Sequence, residues 1–325
     1  MTERVLVTGG AGFIGLHLVR RLLAQGTEIV VLDDFSRGRQ DDELLALRDD
    51  MEVVRHDLAT PIPDGLLCGS FESVYHFAGV VGVARTNKHP DRVLNVNLRA
   101  ATHLLDWCRQ QRPGSVFLSS TSEVADGAAR LGLSSCPTPE DLPFVLADPN
   151  RPRASYALSK MVMEVLFRQC ANEFRLRIGR YHNIYGPRMG SAHVIPQFIE
   201  RGLNRLDPFP IYGASQFRAF CHIDDAVDAT VALMRLPTDE PIVANIGNDE
   251  EQVEIRRLAD RVVRLCDYRP RMEIFASPPD SPDRRLPDLT VLREAIGYEP
   301  KVALDDGLRG TYEWYAAHAA AAGVR

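Results

Sequence analysis

The chain has 325 residues, 45% of them hydrophobic and 25% charged, which is the make-up of a soluble globular protein with room for a large core. A formal net charge of −6 argues against a nucleic-acid partner, and no apolar run approaches the ~20 residues that a membrane-spanning helix needs, so neither partner is expected. The opening, MTERVLVTGG, passes directly into a strand-like run without the regions of a signal peptide. Six scattered cysteines (Cys68, Cys108, Cys136, Cys170, Cys221 and Cys266) form no C-x-x-C pair. Reduced thiols, a cytoplasmic location and no metal site are the expectation.

In chain order, β-branched runs at Arg4–Thr8, Glu28–Asp33, 51–55, 73–77 and 116–119 alternate with amphipathic helical stretches such as 14–24 and 93–111. Apolar strands separated by helices predict an α/β fold, a doubly wound parallel sheet of the Rossmann kind covered on both faces. Residues 1–180 are expected to form this dinucleotide-binding domain, with a later segment at about 220–250 returning to it. From about Gly186 the rhythm loosens, and proline-rich stretches at 206–210 and 277–287 punctuate it. Residues 181–325 should therefore be mainly a smaller substrate-binding α/β region. The Ala-rich tail after Tyr315 reads as a fraying helix end.

The segment VLVTGGAGFIG carries the most information. A strand ends at Thr8, glycines stand at Gly9, Gly12 and Gly15, and a helix begins at once with Phe13 and Ile14. Gly9 permits the tight turn, Gly12 a close approach of backbone to pyrophosphate, and Gly15 close helix–strand packing, while the helix N-terminus offers amide donors to phosphates. Asp33 closes the second strand in VVLDDFSRG, where a carboxylate can accept both ribose hydroxyls of an adenosine and repel a 2′-phosphate. NAD is favoured over NADP, although Arg37 nearby could pair with such a phosphate. Asp34, Ser36 and Gly38 share this loop. Asp57, followed by Leu58 in RHDL, could contact the adenine edge or cap a helix.

The second informative stretch is RASYALSKMVMEVLF, read as a helix that continues to Phe174. It places Tyr156 and Lys160 at i and i+4 on one face. A phenol with an ordinary pKa near ~10 is a poor base at neutral pH. A neighbouring ammonium and a positively charged nicotinamide would lower that value, and Lys160 can also hold the nicotinamide ribose. A surface helix pair is the plainer alternative, but the segment follows a strand ending in SSTSEV.

The motifs TGGAGFIG, VVLDDFSRG, VYHFAG, SSTSEV, SYALSK, RYHNIYGPRM and QFRAFCHIDD occur in the order found in nucleotide-sugar epimerases and dehydratases of the extended short-chain dehydrogenase/reductase family, which the chain resembles over nearly its whole length. The resemblance implies a sheet of about seven strands and an NAD that is retained through turnover. It also implies that Phe77, Ala78, Gly79 and Ser119 line the cofactor and that Asn97 holds the adjoining helix. Thr121 would hydrogen-bond the sugar's C4 oxygen and share its proton with Tyr156, with Ser122 beside the sugar. Tyr181 and His182 would lie near the nicotinamide, and Asn183 would bind the sugar diphosphate. Val194, Ile211 and Tyr212 would enclose the nucleoside base. Arg218 and Arg284 would bind the pyrophosphate, with Arg285 an alternative to Arg284. A homodimer through a four-helix bundle is also implied, for which the faces of 93–108 and 161–171 would serve.

The shared chemistry would be hydride removal from C4, giving a 4-keto sugar that decarboxylates, dehydrates or is re-reduced on its other face. The T-S-E of Thr121, Ser122 and Glu123 resembles UDP-glucuronate decarboxylases, with the glutamate assisting chemistry near C5 and C6. GPRM and DRRLPDL point the same way; Arg188 would then pair with a sugar carboxylate, unless it is solvated at the surface. A UDP-sugar is the favoured substrate and decarboxylation the favoured reaction, ahead of 4-epimerisation and then dehydration. A reductase with net hydride transfer, or a non-catalytic NAD-binding protein, are the competing classes. Two departures stand out: Ala125-Asp126-Gly127 replaces the usual Tyr-Gly, and the stretch 128–153 is long and proline-rich.

Overall fold

A computed structural model describes residues 3–277 and 281–321, divided into two compact units. The first comprises the chain up to Ser134, Glu140–Tyr181 and Val227–Ala244; the second comprises Ser135–Pro139, His182–Ala226 and the chain from Asn245 onward.

The first unit is built on strands whose residues are almost all buried, as parallel strands covered on both faces must be, except in the edge strand Glu52–Arg55, where none is. These are β1 (Arg4–Thr8), β2 (Glu28–Asp33), β3 (Glu52–Arg55), β4 (Ser73–His76), β5 (Ser115–Thr121) and β6 (Arg175–Tyr181). With Ile242–Ile246 outside β6, they form a seven-stranded sheet in the order Ile242–Ile246, β6, β5, β4, β1, β2, β3. Each pair among β1 to β6 is parallel. The order reverses between β1 and β4, and at such a switch point the loops leaving the carboxyl ends diverge and open a crevice. Leu6, Val74, Val116, Leu118 and Ile178 from the sheet pack with Ala101, Leu104 and Leu105 of the helix Pro90–Gln111 and Met163 and Phe167 of the helix Pro152–Arg168.

That last helix ends at Arg168, short of the expected Phe174. Cys170 and Phe174 are buried in the same core, so the apolar pattern runs on after the helical hydrogen bonding has stopped. Beneath the helix, Glu164 and Arg180 are fully buried as an ion pair, with Arg180 Nε to Glu164 Oε1 at 3.0 Å and Nη2 to Oε2 at 2.9 Å.

The second unit contains short ladders that no run in the sequence announces. Gln252–Glu254 lies antiparallel to Phe217–Ala219, and Arg284–Arg285 lies parallel to it on the other edge. Met272–Phe275 pairs in parallel with Phe209–Tyr212. The helices Val194–Leu203, Ile255–Leu265, Thr290–Ile296 and Leu304–Ala321 also belong to this unit. Asp225 joins distant segments by accepting from the backbone amides of Lys301 and Val302, both at 3.1 Å. The tail after Tyr315 is helical to Ala321; residues 322–325, and 278–280 within the proline-rich stretch 277–287, lie outside the described residues. Among the described residues no helix is long and apolar enough to cross a membrane, and all six cysteines are unpaired.

Candidate active site

The glycine turn sits at the switch point. Gly9 has φ +73°, and a Cβ there would stand 2.6 Å from the backbone nitrogen of Ala78, so the turns after β1 and β4 touch main chain to main chain. At Gly15 a Cβ would run into the carbonyl oxygen of Gly9, so the first helix packs closely on the turn itself. Gly12 heads that helix without a side-chain cap, and Phe13 packs edge-on against His17. Asp33 is buried at the end of β2, accepting from Ala11 N at 3.0 Å and Phe35 N at 2.8 Å, with Gly38 folded against the carboxylate. Asp34 binds the amide and hydroxyl of Ser36, both at 2.8 Å. Asp57 accepts from Ala59 N at 2.8 Å in a turn, so the helix-cap reading fails; Leu58 belongs to the core. Phe77, Ala78 and Gly79 follow β4, where Asn97 clasps Val80 through its amide (2.6 Å) and carbonyl (3.1 Å) and also donates to Ser159 Oγ (3.1 Å). A glycine cradle that any Cβ would fill, an uncapped helix start and a buried carboxylate one strand away together fit NAD.

Across β5 lies the proton-transfer group. The Thr121 hydroxyl is hydrogen-bonded to the Tyr156 phenol and accepts from Glu123 N at 3.3 Å. Lys160 is buried one turn along from Tyr156, and its ammonium donates to the carbonyl oxygen of Ser119 at 2.8 Å. Burial lowers the Lys160 ammonium to about 8, opposed by the nearby Glu164 carboxylate. Burial, and next the Glu123 carboxylate, push Tyr156 well above its ordinary range, while the Thr121 hydrogen bond and then Arg37 and Arg153 pull it down. Thr121 first, and then the two arginines, favour the phenolate within this set. Arg37, expected near the adenosine, is itself depressed by burial and by Arg85, and lies within electrostatic reach of Tyr156.

Arg153 is the residue that sequence reading missed. It donates to Glu123 Oε1 at 2.7 Å from the first turn of the helix that carries Tyr156. Around and beyond Glu123 the chain coils into the turn Ser122–Ala125 and the helix Asp126–Arg130, so Ala125-Asp126-Gly127, which replaces the usual Tyr-Gly, joins the turn to the helix. Gly127 allows this, because a Cβ there would overlap the carbonyl of Val145. His76 lies behind the site with Nδ1 2.7 Å from Thr8 Oγ1, and burial lowers it to about 3, so it is neutral at working pH. Tyr181 ends β6 with its ring 6.0 Å from that of Phe77 and its hydroxyl 2.6 Å from Thr230 Oγ1.

In the second unit, Arg218 is buried and bound to Ser281 Oγ at 2.8 Å and to the carbonyl of Asp283 at 3.3 Å. The ladder register separates its two candidate companions. Arg285 is paired with Arg218 and shares its face, whereas exposed Arg284 is paired with Phe217 on the other face and binds Gln252. Ile211, expected against a base, is fully buried inside the unit; Tyr212 beside it is 48% exposed and stacks on Phe275 with centroids 5.0 Å apart. Val194 opens the helix Val194–Leu203. Asn183, with φ +46°, donates to Ala219 O at 3.0 Å, and His182 Nε2 stands 2.9 Å from Asn245 Oδ1. Arg188 is 2% exposed, which excludes a solvated surface position. Among the described residues no cluster of His, Cys, Asp and Glu could hold a metal ion.

A switch-point nucleotide cradle followed by a Thr–Tyr–Lys proton-transfer group defines a dinucleotide-dependent enzyme of the short-chain dehydrogenase/reductase class. The chain belongs to the NAD dependent epimerase/dehydratase family, whose model matches residues 5–247. It is 33% identical over 313 residues to UDP-glucuronic acid decarboxylase 4 of Arabidopsis thaliana, an alignment covering 94% of this chain and 67% of that one. It is 30% identical over 328 residues to UDP-N-acetyl-alpha-D-glucosaminuronate decarboxylase of Bacillus cytotoxicus, covering 97% and 98%. Among solved structures, UDP-glucuronic acid 4-epimerase from Bacillus cereus, in complex with UDP-glucuronic acid and NAD, matches with a TM-score of 0.85 at 27% identity over 97% of this chain and 100% of that one. The dTDP-glucose 4,6-dehydratase of Streptomyces venezuelae matches with 0.83 at 27% over 98% of each.

Proposed function

We infer that this NAD-dependent enzyme decarboxylates a UDP-linked uronic acid through a 4-keto sugar, in the cytoplasm and as a homodimer. The observation that carries the reading is Thr121, Tyr156 and Lys160 assembled at the end of β5 with a carboxylate, Glu123, two residues beyond Thr121. The relatives named as decarboxylases of UDP-uronic acids support the substrate and the outcome. NAD, when bound, supplies the hydride acceptor and donor at C4.

Thr121 holds the C4 hydroxyl and Tyr156 takes its proton as the carbon is oxidised. The ketone makes the sugar a β-keto acid. The C5–C6 bond breaks, its electron pair passes to the C4 oxygen as an enolate, and carbon dioxide leaves. A proton delivered to C5 restores the ketone, which takes back hydride at C4 and the proton held by Tyr156. Glu123 faces the C5–C6 side of this exchange. Arg218 and Arg285 bind the pyrophosphate, where planar, permanently charged donors suit two adjacent phosphates. Tyr212 and Phe275 give the base a stacking platform, and Arg188 pairs with an anionic group. The similarity to the UDP-glucuronic acid 4-epimerase favours retention of the carboxylate as the second reading.

Purified protein incubated with UDP-glucuronate and no added coenzyme should yield a product lighter by one carbon dioxide. An unchanged mass with new ring couplings in the NMR spectrum would establish the epimerase instead. No conversion of this or any other UDP-uronate would sink both.

A further inference from the structure

Arg153 has no role in the sequence reading and makes a contact whose purpose is not helix stability. A cation in the first turn of a helix stands at the positive end of the macrodipole, where acidic residues are favoured, and this first turn holds no acidic residue. The unfavourable placement is offset by a partner from another element. Arg153 Nη2 donates to Glu123 Oε1 at 2.7 Å, with the two side chains only 19% and 17% exposed, so solvent screens the pair less than it would a surface bridge. Three residues on along the same helix stands Tyr156, and four beyond that Lys160; at these spacings the three side chains share a helix face. Glu123 in turn is carried by the short turn that Thr121 caps. One helix and one strand end therefore supply both proton-transfer atoms and the carboxylate, with Arg153 tying the two elements together.

We propose that Arg153 is a positioning residue that fixes the Glu123 carboxylate through one oxygen, leaving Oε2 to face the sugar, and so commits the 4-keto sugar to reaction at C5 and C6. The proposal rests on the 4-keto reading above. Among the described residues Oε2 accepts no protein hydrogen bond, so the contact is one-sided: it sets the carboxylate's direction without consuming its second oxygen. A carboxylate without this tether would rotate about its side-chain bonds, and a poorly aimed group loses most of its catalytic effect. Arg153 also offsets the Glu123 charge beside the phenol, since the two act on Tyr156 with opposite sign.

The test is a double-mutant cycle of Arg153→Met and Glu123→Gln on the NAD-loaded enzyme, with Arg153→Lys as the conservative variant. Two steps are read separately after mixing with UDP-glucuronate: the rise of reduced-nicotinamide absorbance, which reports oxidation at C4, and the release of carbon dioxide. Arg153→Met is expected to leave the first within about threefold of wild type and slow the second at least tenfold, so that reduced cofactor and 4-keto sugar accumulate. Glu123→Gln should do the same, the double variant should be no worse than the worse single one, and Arg153→Lys should recover most of the rate. Equal loss of both steps, or effects that multiply in the double variant, would overturn the proposal. If wild-type enzyme epimerises rather than decarboxylates, the inferred reaction falls but the cycle is read on partition of the 4-keto sugar, and unchanged partition in Arg153→Met overturns the positioning role by itself. Should no sugar be turned over, the 4-keto reading fails, and the pair is judged on the holoenzyme's phenol titration against Tyr156→Phe: Arg153→Met must raise the Tyr156 pKa and Glu123→Gln lower it, or the assignment is wrong.

Discussion

Tyr156 needs help to ionise, and its surroundings pull in both directions: burial and Glu123 hold the proton on, while Thr121, Arg37 and Arg153 favour its release. Replacing Tyr156 with Phe removes the acid/base atom and little else, so kcat should fall by about 100- to 10,000-fold while the purified protein still carries NAD. Turnover surviving nearly intact would mean that another group moves the proton. Lys160 sets a second, pH-dependent limit. Burial has lowered it to about 8, so the ammonium is present below that pH and lost as pH rises through it. An exposed lysine would keep its proton up to ~10.4. The kcat profile should therefore fall on its alkaline side near pH 8. Because Glu164 favours the charged form, Glu164→Gln should move that fall to lower pH; an unmoved limb would show that Lys160 is not the group titrating.

At the scale of elements, β1 and β2 were legible to the residue because each is a buried run of β-branched residues bounded by turn formers. The glycine turn and Asp33 were legible for the same reason, since their chemistry is tied to strand ends. The helix end at Arg168 was not, because Cys170 and Phe174 keep the apolar spacing going in a non-helical turn. Arg153 and the preference for Arg285 over Arg284 depend on contacts between distant segments, through an ion pair in one case and a ladder register in the other. The pair Glu164–Arg180 was equally invisible and ties the catalytic helix to β6; Ser120 of β5 donates to the same carboxylate at 2.5 Å. Arg180→Met would strand a buried carboxylate. Breaking such a pair costs about 3–5 kcal/mol, which should appear as a lower urea midpoint with an unchanged slope. A loss below about 1 kcal/mol would mean that Arg168, 3.5 Å from Glu164 Oε2, takes over.

For the molecule as a whole, the open question is what covers the outer side of the catalytic helix. Val162 and Val165 stand 39% and 47% exposed on it. At 100° per residue they lie on the side away from Tyr156, so exposing them does nothing for the proton-transfer group. Apolar side chains on a helix that is otherwise part of the core are what a subunit interface leaves bare in a lone chain. The inferred homodimer would pack this helix and Pro90–Gln111 against their copies, and an interface of standard size buries ~1,600 Å². Replacing both valines with Asp places four uncompensated carboxylates in that interface. If the inferred dimer is right, sedimentation or light scattering should report twice the 36.2 kDa mass for the native chain and a monomer for this variant. NAD retention should survive, because the glycine cradle and Asp33 lie at the carboxyl ends of β1 and β2 rather than on this helix. Loss of the dimer together with a fall in kcat would show that pairing also steadies the helix bearing Tyr156 and Lys160. A variant that stays dimeric would move the interface elsewhere on the surface.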